Sequence, residues 1–121
     1  MDFATFWDQF TPENRGKWQA VQSPAGTFNW AALDAMYTYC EEHHLLFKEH
    51  CFVWGSEQPA WINSSNAAAL VQAWMKAFCD RYPKTRIIDV VNEPLHAPLS
   101  YRDGIGDTGA SGWDWIVNAF K

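Results

Sequence analysis

The chain is 121 residues long, 48% hydrophobic and 19% charged, with a formal net charge of -5. That length suits one domain, and that composition excludes intrinsic disorder. The acidic balance, with no basic stripe, speaks against nucleic acid as a partner, and no run approaches the ~18 apolar residues that a membrane span needs.

In chain order, Phe3 to Phe10 is short and rich in aromatic residues, and reads as a strand ending at Thr11-Pro12-Glu13-Asn14. A loop follows, with Ser23-Pro24-Ala25-Gly26-Thr27 as its clearest turn signal. Asn29 is placed to cap a helix running from Trp30 to about His43, since Trp30, Leu33, Tyr37 and Cys40 recur at three- and four-residue steps. Leu45 to Trp54 reads as the next strand. Gly55 to Asn63 is a loop. Ser64 or Ser65 is expected to cap a second helix reaching about Tyr82, with Val71, Trp74, Met75, Phe78 and Tyr82 on one stripe. Arg86 to Glu93 is the third strand, and its "IIDVV" run suggests cover on both faces. After a long loop, Ser111 and Asp114 open a last helix to Lys121. The fold class is α/β: three successive βα units with parallel strands joined by right-handed crossovers. Three units do not close a (β/α)8 barrel, which takes roughly 250 residues. The chain is therefore either a small doubly wound sheet or a piece of a barrel.

The three cysteines, Cys40, Cys51 and Cys79, form no CxxC pair and read as buried thiols rather than a zinc site or disulfide framework. "DGIGDTG" fits no phosphate-binding loop. His43-His44 suits a helix C-terminus better than a metal. No metal or cofactor is expected. The N-terminus shows neither the basic nor the apolar region of a signal peptide. Eight tryptophans in so short a chain stand out. About half are expected in the core, and several are expected to line a groove and stack on flat ligands such as sugar rings.

In parallel α/β folds, functional side chains gather at the C-terminal ends of strands. Here those ends hold Thr11-Pro12-Glu13-Asn14, Trp54-Gly55-Ser56-Glu57 and Asn92-Glu93. A carboxyl group at such a mouth, beside aromatic side chains, is expected to be partly desolvated. That favours the protonated form and suits Glu93 to donate a proton, as glycoside cleavage requires. The competing role for Glu93 is to cap the loop that follows.

Five segments then carry a resemblance. "TPENRGKW" (Thr11 to Trp18), "GTFNWAALD" (Gly26 to Asp34), "FKEHCFVWGSEQPAW" (Phe47 to Trp61), "DVVNEP" (Asp89 to Pro94) and "GWDWIVNAF" (Gly112 to Phe120) resemble, in order and spacing, the signatures of glycoside hydrolase family 10. This is the family of retaining endo-β-1,4-xylanases, which fold as (β/α)8 TIM barrels. The resemblance implies a partial catalytic domain over residues 1–121, covering strands 2 to 4 of the barrel. It implies that Glu93 is the general acid/base and that Asn92 holds the 2-hydroxyl of the sugar at the cleavage point. It implies that Glu13, Asn14 and Lys17 bind xylose units on the non-reducing side. His50 and Trp54 would shape the subsite at the scissile bond, and Trp61 falls in a matched motif. The implied partner is xylan or a xylo-oligosaccharide, and the implied location is secreted or periplasmic. The family's nucleophile, a glutamate at the end of strand 7, has no match on this chain. Gly55 stands where histidine is common, Glu57 where glutamine is usual, and Ile88 where tryptophan is frequent. Two alternatives stay open: a non-catalytic, self-associating or sugar-binding module, and a related β-1,4-glucanase or mannanase.

Overall fold

The computed structural model of the protein describes residues 2–23 and 26–106. The helix expected from Ser111 to Lys121 lies outside them. Three strands, β1 (Gln9–Phe10), β2 (Leu46–Trp54) and β3 (Ile87–Asn92), form one sheet in the order β1-β2-β3, with every pairing parallel. Between them run α1 (Trp18–Val21), α2 (Ala31–His43) and α3 (Ala67–Arg81). The predicted α/β architecture of successive βα units is therefore present.

Several expected elements are corrected. Phe3 to Phe10 is not one strand. Phe3–Thr5 form a 3-10 turn, and only Gln9–Phe10 pair with β2. Asp2 explains the turn: its carboxylate accepts from the Ala4 N–H at 3.2 Å and from the Tyr39 hydroxyl at 2.5 Å. The aromatic side chains then cluster instead of alternating, with Phe3 stacked on Trp7 and edge-on to Phe10. The segment expected to be loop contains α1, because Trp18 and Val21 are both buried in the core.

α2 begins one residue late, with Trp30 in the capping position. Asn29 nevertheless serves the first turn, its Oδ1 accepting from the Ala31 N–H. α3 begins at Ala67, beyond the expected serine cap. Both serines are engaged elsewhere: the Ser65 hydroxyl donates to Asn63 Oδ1 and the Ser64 hydroxyl to Asp103. The α3 stripe is as expected, with Val71, Trp74, Phe78 and Tyr82 buried and Met75 half-buried. Cys79, one step past Phe78, is turned outward and is exposed, unlike Cys40 and Cys51. β3 is half-buried from Ile88 to Asn92, with Ile87 exposed, and so is not covered on both faces by the described residues.

The core sits between sheet and helices around Trp74, which is fully buried. Its indole lies 6.1 Å from Trp18, 5.8 Å from Trp30 and 6.0 Å from Phe28, all near-parallel, and its N–H donates to the Phe52 carbonyl. Such stacking adds to the large area each ring removes from water. α2 and α3 are pinned together at their outer rim. Arg81 grips Asp34 with two hydrogen bonds of 2.6 and 2.7 Å, and the Tyr82 hydroxyl donates to the same carboxylate.

One irregularity positions the site. In the β2–β3 ladder His50 faces Asp89, but Val53 faces Val91. β2 therefore carries one extra residue across a bulge, which re-aims the side chains beyond it. Trp54 then ends opposite Asn92.

Candidate active site

The C-terminal ends of the three strands converge on one cluster. Lys17, in the segment after β1, is nearly fully buried, with 6% of its surface exposed. Its ammonium donates to Asn14 Oδ1 at 2.7 Å and to Glu57 Oε1 at 2.9 Å. It also sits over the Trp54 ring, 4.4 Å from the centroid, where the negative face of the indole attracts a cation. On the far side of this contact, the Trp54 indole N–H donates to Glu93 Oε2 at 2.9 Å. Asn14, Lys17, Glu57, Trp54 and Glu93 thus form one connected chain drawn from all three βα loops.

Glu93 terminates β3 in a left-handed conformation (φ 48°), rare for a residue with a Cβ. Its backbone carbonyl accepts from the N–H groups of His96 and Ala97, so the backbone makes the turn while the carboxylate is left for Trp54. The loop-capping role and the functional role thus fall to different atoms of the same residue. Its side chain is exposed, so the desolvation expected at the sheet mouth is not supplied by the described residues.

His50 does not join Glu93. Its Nδ1 lies 2.8 Å from Asp89 Oδ2, and the Lys48 ammonium bonds the same oxygen at 2.9 Å. Partial burial pushes the Asp89 carboxyl up, but the bonds from His50 and Lys48 outweigh it and hold it below the usual range. This acid fixes the orientation of the His50 ring at the sheet's inner face. Asn92 is half-buried beside Trp54, and Glu13 is exposed at the mouth. Trp61 is not part of the cluster. It packs against the core, with its indole N–H buried and without an acceptor among the described residues.

Gly55 has a steric reason. A Cβ there would stand 2.2 Å from the Pro98 carbonyl oxygen and 2.3 Å from that of Ala97. The loop leaving Glu93 is therefore seated directly on Gly55, whose N–H donates to the Ala97 carbonyl. Two pairings in the site were not foreseen: Glu57, read at a strand end but not as the partner of Lys17, and Asp89 as the partner of His50. The second had a signal, since an acid amid the apolar "IIDVV" run needs a polar partner.

Parallel βα units, with a carboxylate, an amide, an ammonium and an indole gathered at the strand ends, are the arrangement of the functional face of a (β/α)8-barrel protein. Residues 2–121 match the family model described as "Glycosyl hydrolase family 10", and the chain belongs to that family. It is 39% identical, over 99% of its length, to endo-1,4-beta-xylanase B of Cellvibrio japonicus (strain Ueda107), of which it spans 20%. The fold matches a family 10 structure from Paenibacillus barcinonensis with a TM-score of 0.81 at 23% identity, over 97% of this chain and 40% of that one. It also matches the crystal structure of an endo-1,4-beta-xylanase from Caldicellulosiruptor owensensis with a TM-score of 0.80 at 25% identity, over 97% of this chain and 39% of that one.

Proposed function

We propose that this chain supplies the acid/base half of a retaining endo-β-1,4-xylanase centre. Glu93 protonates the glycosidic oxygen as the bond breaks, then takes a proton from the incoming water. The carboxylate that attacks the anomeric carbon stands ~5 Å away in such enzymes and comes from outside these residues. Asn92 holds the 2-hydroxyl of the reacting sugar. Glu13, Asn14 and Lys17 bind the units on the non-reducing side. His50, aligned by Asp89, and Trp54 shape the subsite at the scissile bond, and Trp61 supports the loop beyond it. The observation that carries this reading is the Trp54 indole. It bonds Glu93 at its N–H and carries Lys17 on its face, so the proton donor and the sugar-binding side chains share one rigid plate.

Glu93→Ala in the intact protein tests the reading. Release of reducing sugar from xylan should fall by about 10²- to 10⁴-fold, the range that general acid catalysis contributes. Aryl xylosides with acidic leaving groups, which need no proton, should lose far less in the bond-breaking step. Equal loss on both substrates, or no loss on xylan, would refute the role. Activity on β-1,4-glucan or mannan exceeding that on xylan would move the substrate assignment. A polymeric substrate, too large to enter a cell, fits a secreted or periplasmic enzyme.

A second reading rests on the sheet order. β1 and β3 are edge strands among the described residues, and edges recruit further strands. The chain by itself would then self-associate or pair with complementary barrel segments. A monodisperse monomer in light scattering at micromolar concentration would sink that reading.

A further inference from the structure

Glu49 lies mid-way along β2 and is completely buried. Its strand neighbours Lys48 and His50 point to the opposite face, where both bond Asp89. Glu49 shares the helix side with Phe47, which packs on Tyr37 and Tyr82. Among the described residues no donor reaches it: both carboxyl oxygens are buried without a hydrogen bond. What closes over them is Gly16. A Cβ at that position would stand 3.0 Å from each Glu49 oxygen and 2.9 Å from Pro12 Cγ. Pro12 and Gly16 bracket Glu13 and Asn14, and Lys17 follows directly.

We propose that Glu49 is a positioning residue for the sugar-binding segment: its uncharged carboxyl, closed against Gly16, fixes the height at which Glu13, Asn14 and Lys17 meet the substrate. The proposal rests on the xylanase reading for the substrate, but not for the contact between carboxyl and loop. A Cβ at Gly16 would press on both Glu49 oxygens and on the Pro12 ring, so the hydrogen there keeps the seat close without displacing them. An ionised carboxylate without a donor would be strongly disfavoured there. Burial, with the charge of Asp89 on β3 adding to it, pushes this carboxyl up to about 9. Burial most of all, then the charge of Glu49, raises the Cys51 thiol, with Asp89 on β3 and Glu57 from the loop after β2 adding and Lys17 from the loop after β1 opposing. That thiol is itself pushed up to about 12, so it stays neutral while Glu49 titrates. Loss of the Glu49 proton places a charge beneath Gly16. Relief comes when the segment lifts to admit water, or when Lys17 leaves Asn14 and Glu57 for the new charge. Either movement weakens sugar binding and leaves the chemistry at Glu93 in place.

The test compares wild type with Glu49→Gln, which keeps the shape and removes the proton. In the intact protein, wild-type KM for xylo-oligosaccharides should rise about threefold or more between roughly pH 8 and 10. In E49Q it should stay level, with the kcat profile the same in both. Gly16→Ala should raise KM at every pH. A rise that persists in E49Q overturns the proposal, and so does a level KM in both. If the wild type neither binds nor cleaves xylan, the functional reading fails, and an NMR titration decides the positioning role. Amide resonances of Asn14 to Lys17 should move in wild type with the same midpoint as the Glu49 carboxyl carbon. A different midpoint, or no movement, overturns it. This last measurement needs no variant, so it holds even if E49Q does not fold.

Discussion

Gly55→Ala is a one-methyl perturbation whose effect can be worked out from the site. The new Cβ would stand 2.2 Å from the Pro98 carbonyl oxygen and 2.3 Å from that of Ala97. Both obstacles are backbone, so no side chain can swing aside. The loop must retreat by roughly 1 Å to restore van der Waals contact, an overpacking that costs about 1–3 kcal/mol. The retreat also lengthens the bond from the Gly55 N–H to the Ala97 carbonyl. Ala97 in turn donates its N–H to the Glu93 carbonyl at 2.8 Å, so the displacement passes straight to the proposed acid. A misplacement of ~1 Å at a reacting group can cost about 10²-fold in rate. Chemical unfolding and kcat/KM on xylan should therefore both report the change, with the deficit mainly in kcat. An alanine variant with wild-type stability and wild-type kcat/KM would refute the reasoning. It would show that the loop beyond Glu93 is not held against β2 in solution.

Trp74→Ala should cost about 3–5 kcal/mol in chemical unfolding and leave the Phe52 carbonyl without its indole donor. A loss under about 1 kcal/mol would mean that the stacked rings do not form the core. Lys17→Met should raise KM for xylo-oligosaccharides more than it lowers kcat, because Lys17 meets Glu93 only through the Trp54 ring. A pure kcat defect would instead place it in the chemistry. The Arg81 guanidinium beside Asp34 holds that carboxyl below its usual range, even against partial burial. A depressed carboxyl contributes stability above its unfolded pKa and loses it as pH falls through the folded value. Both side chains are more than one-third exposed, so the pair is worth only about 0.5–1 kcal/mol after solvent screening. The stability gap between wild type and Asp34→Asn should therefore be present at neutral pH and close as the pH falls through the lowered titration of the folded carboxyl. A gap that stays constant into acid would disprove the ionic contribution.

Legibility in the sequence followed the physics of each signal. The α3 stripe could be read because Val71, Trp74, Phe78 and Tyr82 repeat at helical spacing on a face that tertiary packing does bury. The ends of β2 and β3 could be read because Gly55 and Pro94 interrupt apolar runs. The N-terminal segment misled because aromatic content favours a strand, while the Asp2 carboxylate offers the backbone and Tyr39 a competing partner. α1 is one turn long, too short to show a period, and exists because Trp18 finds Trp74 some 56 residues away in sequence. In the site, Asn14, Trp54 and Glu93 came together as their places at strand ends implied, and Lys17, which the resemblance alone had singled out, joins them. Trp61 did not, since a shared motif does not say which way an indole turns.

The three departures from the family pattern each meet a local counterpart. Gly55, in place of histidine, makes room for the carbonyls of Ala97 and Pro98. Ile88, in place of tryptophan, packs half-buried against the core from β3. Glu57, in place of glutamine, gives Lys17 a full counter-charge at 2.9 Å. That last exchange has a consequence for binding. A nearly buried ammonium over an indole face carries a desolvation cost that a neutral amide offsets only in part. A carboxylate offsets more of it, and it also lowers the net positive field that the Lys17 side presents to a sugar. Glu57→Gln should therefore loosen Lys17 from the Trp54 ring and strengthen its attraction to acidic xylan substituents relative to neutral chains. A ratio of kcat/KM values for glucuronate-bearing and unsubstituted xylo-oligosaccharides that does not move on substitution would show that Glu57 balances Lys17 for stability alone.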